Sequence, residues 1–348
     1  MTAASMAETS AIMRKGAVRT SGSMLTAFAR QRELSLASIM VVLGALVSIV
    51  APQFLTISNL TAVAALASIY AVASVGEALV IITRNIDLSV EATIGVVAYC
   101  VASILERHVL DAPAAIMLGI GIGLLLGMVN GVIVALLRVP SIVATLGTLS
   151  IFRGLDYVIA GSHQVPLAGL PPGFTDPART NLLGVLPEFL VVALVVVVLG
   201  TVILRSTRFG RQVYAVGSNP EAAAILGIPA RLVEFSAFSV CGLLAGVAGV
   251  MWVMFFGTIN GTAGTGIVLS IVAAVVVGGV STLGGSGTIA GAALGALFLG
   301  LTANALPLVG LSQFWLQAIY GLVILVAVSV DALILRRIQR ASAERRAR

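Results

Sequence analysis

From Phe235 to Val330 the chain holds no Asp, Glu, Lys, Arg or His, although Gly clusters and Pro307 interrupt the apolar run. A soluble domain of that length needs a charged surface. A bilayer instead excludes charge, at ~2.5–3.5 kcal/mol or more per residue near its centre. The Gly and Pro interruptions divide the stretch into several apolar helices. Read the same way, the whole chain predicts an all-α, polytopic transmembrane helical bundle of about ten spans. They fall at 36–52, 60–82, 88–105, 113–137, 141–158, 187–204, 233–256, 267–282, 288–305 and 314–333. A hydrocarbon core of about 30 Å asks for roughly 20 apolar residues per helix, so the shorter runs are expected to be tilted, broken or re-entrant. Residues 1–35, basic and Ser/Ala-rich without a cleavage site, read as a retained tail. The membrane domain is expected over 36–333, followed by a second basic tail at 334–348.

Composition agrees with that pattern: mean hydropathy is +1.11, 59% of residues are hydrophobic and 10% are charged. Charge then orients the chain. With the N-terminus in the cytoplasm, inside segments hold Arg14, Lys15, Arg19, Arg30, Arg32, Arg84, Arg138, Arg205, Arg208, Arg211 and Arg231, and the C-terminal tail adds six more arginines. Of the 20 Lys and Arg residues only Arg107 and Arg179 fall outside, and Arg153 lies within a span. The positive-inside rule therefore puts both termini in the cytoplasm. The net charge of +6 reports topology; nucleic-acid binding would need a basic face interleaved with aromatics, which is absent. Cys100 and Cys241 fall in apolar spans and suit packing rather than a disulfide or a metal site.

Gly119, Gly123, Gly127 and Gly131 recur on one face of a predicted span, a groove for close approach of a neighbouring backbone. Gly242 with Gly246, and Gly291 with Gly295, repeat it. Gly121 and Asn130 stand in the same relation as Gly295 and Asn304, half a chain later. That spacing points to a five-plus-five repeat of the kind transporters use. Polar residues inside spans cluster at Glu77, Arg84, Asn85, Asp87 and Glu91. Irregular backbone at membrane depth survives only where buried in protein or lining a wet cavity. The cluster is therefore either a gate or pathway lining, with Asn130 a further candidate, or a buried Arg84–Asp87 or Arg84–Glu91 pair. Arg153 and Asp156, at i and i+3, are expected to pair at a helix end. His163, in the Pro- and Gly-rich outer loop 159–186, carries no ligand pattern.

The one sizeable cytoplasmic loop is 205–232. Within it Ser218 or Asn219 can cap a helix, Pro220 suits its first position, Glu221 complements its positive end and Gly227 can close it. A two-turn exposed helix with an Ala222/Ala223 and Ile/Leu face is expected there, shaped to dock on a partner. No G-x-x-x-x-G-K-[ST] loop, H-E-x-x-H, G-x-S-x-G or paired-Cys motif is present. The chain is thus expected to be no enzyme, with no cofactor and no metal of its own.

These residues resemble the permease subunits of bacterial ATP-binding-cassette importers of the ribose and branched-chain amino acid type. The resemblance covers roughly 40–335 and rests on ordered segments. They are Gly76-Glu77 with Ile86-Asp87-Leu88-Ser89-Val90, Asn130-Gly131-Val132, Thr145-Leu146-Gly147 with Arg153-Gly154, and Tyr214 through Ala223. Gly227-Ile228, Ala273 through Gly279, Leu283 through Gly287 and Gly321 through Ile324 continue them. The resemblance implies that Asn219, Pro220, Glu221, Ala222, Ala223 and Gly227 form the loop that couples to an ATPase subunit. It also implies that ATP and Mg sit on that separate subunit. A periplasmic sugar-binding protein, a second permease and the bacterial inner membrane complete the implied setting. Arg84-Asn85 stands where ribose-type chains usually have Gly-Gly, and Glu91 where they usually have Gly. The wording Thr83 through Asp87 is similar to rhamnose and autoinducer-2 permeases, whose substrates are small polyhydroxylated compounds. A branched-chain amino acid permease, an ion-coupled secondary transporter using Asp87, Glu91 or Asp156, and an intramembrane enzyme are the competing readings. The last lacks any nucleophile–base or metal constellation.

Overall fold

The structure, a computed structural model, describes residues 33–182, 186–312, 314–326 and 328–329. Except for Glu33 to Ser35, which open the first helix, the predicted tails lie outside the described residues. The helices are α1 (Glu33–Val50), α2 (Ile57–Ile82), α3 (Val90–Glu106) and α4 (Ala112–Gly131), which runs on as a π turn over Val132–Leu136. Then come α5 (Ser141–Ala160), α6 (Glu188–Ser206), α7 (Arg208–Ser218) and α8 (Pro220–Ile225). The series closes with α9 (Ala230–Phe256), α10 (Val268–Val277), α11 (Ile289–Leu308) and α12 (Trp315–Val326). A two-residue antiparallel pair, β1 (Asn181–Leu182) with β2 (Leu186–Pro187), is the one strand pairing among the described residues.

Seven of the described helices are long and apolar enough to cross a membrane: α1, α2, α4 with its π turn, α5, α6, α9 and α11. The spans predicted at 88–105, 267–282 and 314–333 fall on shorter helices. For α3 and α10, of 17 and 10 residues, the reason is visible. Each starts inside the bundle, after the chain has turned back at the end of a long helix. The chain leaves α2 at Thr83 and re-enters through 84–89; it leaves α9 at Gly257 and re-enters through 258–267.

Local chemistry explains five of the helix starts. Side-chain oxygens of Thr56, Asp111, Thr207, Asn219 and Thr288 accept first-turn amides of α2, α4, α7, α8 and α11. Each satisfies a donor that the helix itself leaves unpaired. Depth follows composition. The apolar stretch of α2 is 94% buried within the protein, whereas those of α1 and α6 are 17% buried and present Val41, Ile49, Val195 and Val198 outward. Such apolar exposure suits lipid.

Packing in an apolar solvent gains nothing from the hydrophobic effect, so close backbone approach has to supply the contact. The predicted glycine face of α4 does this against α9. A Cβ added at Gly123 would lie 2.5 Å from the Gly242 carbonyl oxygen and 2.6 Å from the Gly246 Cα. Gly127 meets Phe238 and Gly242 in the same way, and Gly119 meets side chains of α3 and α9. On α11, Gly295 abuts Ala274 of α10 and Gly300 abuts Ala67 of α2. The most extensive helix pairs are accordingly α4 with α9 and α11 with α2. The loop after α5 is folded down rather than free. Val165 and Ile259 exchange backbone hydrogen bonds of 2.8 and 3.0 Å, and Leu170 and Phe174 are buried.

Gly121 faces open space, with nothing within 4 Å of an added Cβ. Gly123→Ala is therefore expected to cost about 1–3 kcal/mol by overpacking. Gly121→Ala should be neutral or stabilising, since Ala is the better helix former. Melting temperatures of the two purified variants in detergent test the contrast; equal shifts would contradict the packing.

Candidate functional site

Where α2 ends, residues 79–89 lay down a dense polar structure. Arg84 adopts φ 68°, in the left-handed region. Its amide donates to the Ile81 carbonyl at 2.9 Å, and the Asn85 amide donates to Val80 at 3.1 Å. This is a Schellman cap, with arginine in the position glycine usually takes. A side chain there costs ~1–2 kcal/mol. The Arg84 side chain is exposed and points away from the interior. Its Nε donates to the Gly217 carbonyl at 2.5 Å and its guanidinium to the Ser218 carbonyl at 2.7 Å, the last carbonyls of α7. The predicted pairing of Arg84 with Asp87 or Glu91 is therefore absent. The turn aims the arginine at another helix end.

Asp87 looks inward instead. Its amide donates to Glu77 Oε1 at 3.1 Å, and its Oδ1 accepts both the amide (2.9 Å) and the hydroxyl (2.7 Å) of Ser89. Asn130, from α4, donates to both Asp87 oxygens at 3.3 and 3.2 Å and to Ser89 Oγ at 2.7 Å. The Cys241 thiol approaches Glu77 Oε2 at 3.8 Å. Glu77, Asp87, Ser89 and Asn130 are all buried. The cluster ties the re-entrant segment to α2 and α4 and fixes where α3 begins. Ser141 Oγ and Thr145 Oγ1 of α5 hold the other side of the segment, through the Ile86 amide (3.3 Å) and carbonyl (3.2 Å). The Asn85 side chain, half-buried, bonds back to Thr83.

One turn further in, Glu91 joins the starts of two helices. It stands in the first turn of α3, and its Oε2 accepts the amides of Gly266 (2.9 Å) and Val268 (3.2 Å) at the start of α10. A carboxylate there satisfies unpaired amides and complements the positive helix end. Arg153 answers it from α5. The guanidinium lies 3.7 Å from Glu91 Oε1 and 3.4 Å from Asp156 Oδ2, and donates to the Ala263 carbonyl at 2.8 Å. The i,i+3 pair predicted for Arg153 and Asp156 thus exists. It lies in the last turns of α5, as expected, and is buried there against the 258–267 segment. Gly95 makes room for it, since a Cβ there would reach the Ala263 oxygen and the Arg153 side chain. Arg153 and Asp156 share α5 and their pairing was legible from spacing, but Glu91 lies on α3, far from them in sequence, so spacing along the chain gave no sign that it joins them.

The segment 205–232 holds more helix than predicted. Beyond the expected short helix there is α7, with Val213, Val216 and Gly217 buried and Arg208 and Arg211 exposed. Phe209, Val213 and Val216, at i, i+4 and i+7 beside the arginines, were the signal that could have located it. On α8, Asn219 Oδ1 caps the Ala222 amide at 3.0 Å and Gly227 takes φ 74°. Glu221 and Ala222 are exposed, Pro220 is half-buried, and Ile225 and Leu226 are 87% and 77% exposed. Ala223 is buried in the protein's own core, so it packs the corner and leaves the outward face to Ile225 and Leu226. No cluster of three or more His, Cys, Asp or Glu able to hold a metal occurs among the described residues.

Breaking the Arg153 pair strands two buried carboxyl groups. Arg153→Gln is expected to destabilise by about 3–5 kcal/mol. Adding Glu91→Gln should recover part of that, as it does for groups in direct contact. Arg84→Gln and Asp87→Asn, which do not touch, should be additive. Double-mutant cycles by denaturant unfolding in micelles read both; additivity at 91 and 153 would contradict the geometry.

Residues 59–328 match the family described as branched-chain amino acid transport system permease component. The chain is 33% identical to the probable ABC transporter permease protein y4mJ of Sinorhizobium fredii, over 91% of this chain and 93% of that one. It is 37% identical to the autoinducer 2 import system permease LsrC of Salmonella typhi, over 88% of this chain and 86% of the relative. The LsrC of Escherichia coli is 36% identical, over 88% and 89%. No solved structure matches significantly. With most of its length matched and a bundle of long apolar helices to fit, the chain belongs to this family of ABC transporter permeases and is a multi-pass membrane transport protein.

Proposed function

We propose that the chain is the membrane-spanning permease of an ATP-driven importer in the bacterial inner membrane. Its cargo would be a small polyhydroxylated ring compound, of the kind that autoinducer 2 or a rhamnose-like sugar represents. The observation that carries the reading is the corner helix α8. Six residues long, it is below the ~12–15 residues at which isolated helices become stable in water. It is capped by Asn219, anchored by buried Ala223, and presents Ile225 and Leu226 to solvent. Two large apolar side chains beside an exposed Glu221 fit a shallow groove on an ATPase subunit. ATP and Mg belong to that subunit. The nearness to autoinducer 2 permeases supports the cargo class, and a periplasmic binding protein delivering it at the end bearing the 161–187 loop fits the same arrangement. The positive-inside pattern supports cytoplasmic termini, with α7 and α8 on the cytoplasmic side.

The five-plus-five reading gains support from the contacts. In each half a long helix (α2, α9) is followed by a return segment, a helix starting inside the bundle (α3, α10) and a glycine-faced helix (α4, α11). Each glycine-faced helix packs on the long helix of the other half. An inverted repeat around the Glu91–Arg153 clasp accommodates this. An ion-coupled carrier is the weaker reading, because Glu91 and Asp156 are already engaged by Arg153, and Asp87 by Ser89 and Asn130.

Ile225→Glu with Leu226→Glu is expected to remove co-purifying ATPase and abolish uptake while leaving membrane insertion intact, because both side chains lie outside the core. Ala223→Arg should instead lower the amount of folded protein. Reconstitution with the ATPase and binding protein should give uptake that needs ATP. Uptake driven by an ion gradient without the ATPase would overturn the proposal.

A further inference from the structure

Arg84 holds an unfavourable backbone conformation in order to reach a neighbouring helix, and no pairing inside the bundle explains it. Glycine would adopt φ 68° freely, so the side chain is what the site retains. That side chain binds the carbonyls of Gly217 and Ser218, where α7 ends and immediately before Asn219 starts α8. Carbonyls at a helix C-terminus carry the negative end of its dipole, so a guanidinium suits them.

The corner around this contact has no slack. The Gly285 amide donates to the Ile82 carbonyl at 2.8 Å, and Ser218 Oγ donates to the Gly285 carbonyl at 3.4 Å. A Cβ at Gly217 would collide with the Ile82 carbonyl, one at Gly284 with the Arg84 side chain, and one at Gly285 with Ser218. The ends of α2 and α7 and the loop 281–287 are therefore packed backbone against backbone, with no room for an added methyl at Gly217, Gly284 or Gly285. Three residues beyond Arg84, Asp87 sits in the buried cluster that sets the start of α3, and Glu91 of α3 holds the start of α10.

We propose that Arg84 is a positioning residue that transmits displacement of the α7–α8 corner to the interior starts of α3 and α10. The inference rests on the ATP-driven reading above. Its physical content is a rigid link: two charge-assisted hydrogen bonds from one planar group onto adjacent carbonyls. When the ATPase moves α8, those bonds drag the 84–89 segment, and with it the clasp at the bundle centre.

The test uses the full transporter in liposomes, with labelled autoinducer 2 and labelled rhamnose as probes, and measures uptake per ATP hydrolysed. It also records ATPase retained on the permease and melting temperature. Arg84→Gly relieves the backbone and deletes the link. The expected result is retained fold, retained ATPase and continuing hydrolysis, with uptake per ATP down roughly tenfold, a size typical of coupling between sites. Arg84→Lys, able to reach one carbonyl, should recover part of it. Should Arg84→Gly reduce the folded amount, Arg84→Gln carries the same ratio measurement. An unchanged ratio, or loss of the ATPase from the permease, overturns the proposal. Wild-type protein that shows no ATP-driven uptake of either probe would instead count against the importer reading, so the two failures are distinct.

Discussion

A helix that ends inside an apolar medium leaves backbone amides and carbonyls with no water to turn to, each costing several kcal/mol if unpaired. This chain starts α3 and α10 inside the bundle, and its polar residues are placed to answer the cost. Glu91 covers the first amides of α10, Arg153 takes the Ala263 carbonyl and the Glu91 charge, and Asp87 turns the chain into α3. Asn130 from α4 holds Asp87 in turn. Remove these groups and α3 and α10 have no defined starting point. The re-entrant segments would then have to leave the membrane.

The glycine faces serve the same end by a different route. Because α4 and α9 approach until backbones touch, Asn130 at the end of α4 is brought within hydrogen-bonding distance of Asp87 and Ser89. Gly95, one turn into α3 from Glu91, leaves the space Arg153 occupies. Small residues and charged residues are thus two halves of one arrangement. The first let helices come close, and the second use that closeness to satisfy backbone that would otherwise be stranded. The exposed corner helix stands beside the first of these breaks, where Arg84 binds the end of α7, and the second break, at 258–267, packs against the loop after α5.

Much of this was legible along the chain. The apolar runs located every described helix from α1 to α6 and from α9 to α12, because hydrophobic length is a local property. The cap at Ser218 or Asn219 and the turn at Gly227 were equally local; the short helix lies where they put it, with Asn219 as the cap. Partnerships were not legible. Arg84 stands near Asp87 and Glu91 in sequence, yet a left-handed turn at Arg84 itself sends its side chain to α7. Glu91 meets Arg153 only because α3 and α5 run side by side, and it reaches Gly266 only because the chain re-enters after α9. Ala223 looked outward by composition, whereas the register of α8 on α9 turned it in and turned Ile225 and Leu226 out. Interior starts of helices depend on such long-range contacts, which is why 267–282 read as a span and proved to hold only α10.

Hydrogen exchange of the membrane-reconstituted protein, followed on peptides spanning 257–270, measures the interior clasp most directly. In the wild-type chain the amides of Gly266 and Val268 are expected to be protected, although they precede or open a helix. Glu91→Leu should release them while leaving α4 and α9 protected. Fast exchange at these amides in the wild type, or protection that survives Glu91→Leu, would contradict the carboxylate as the group that holds α10 in place.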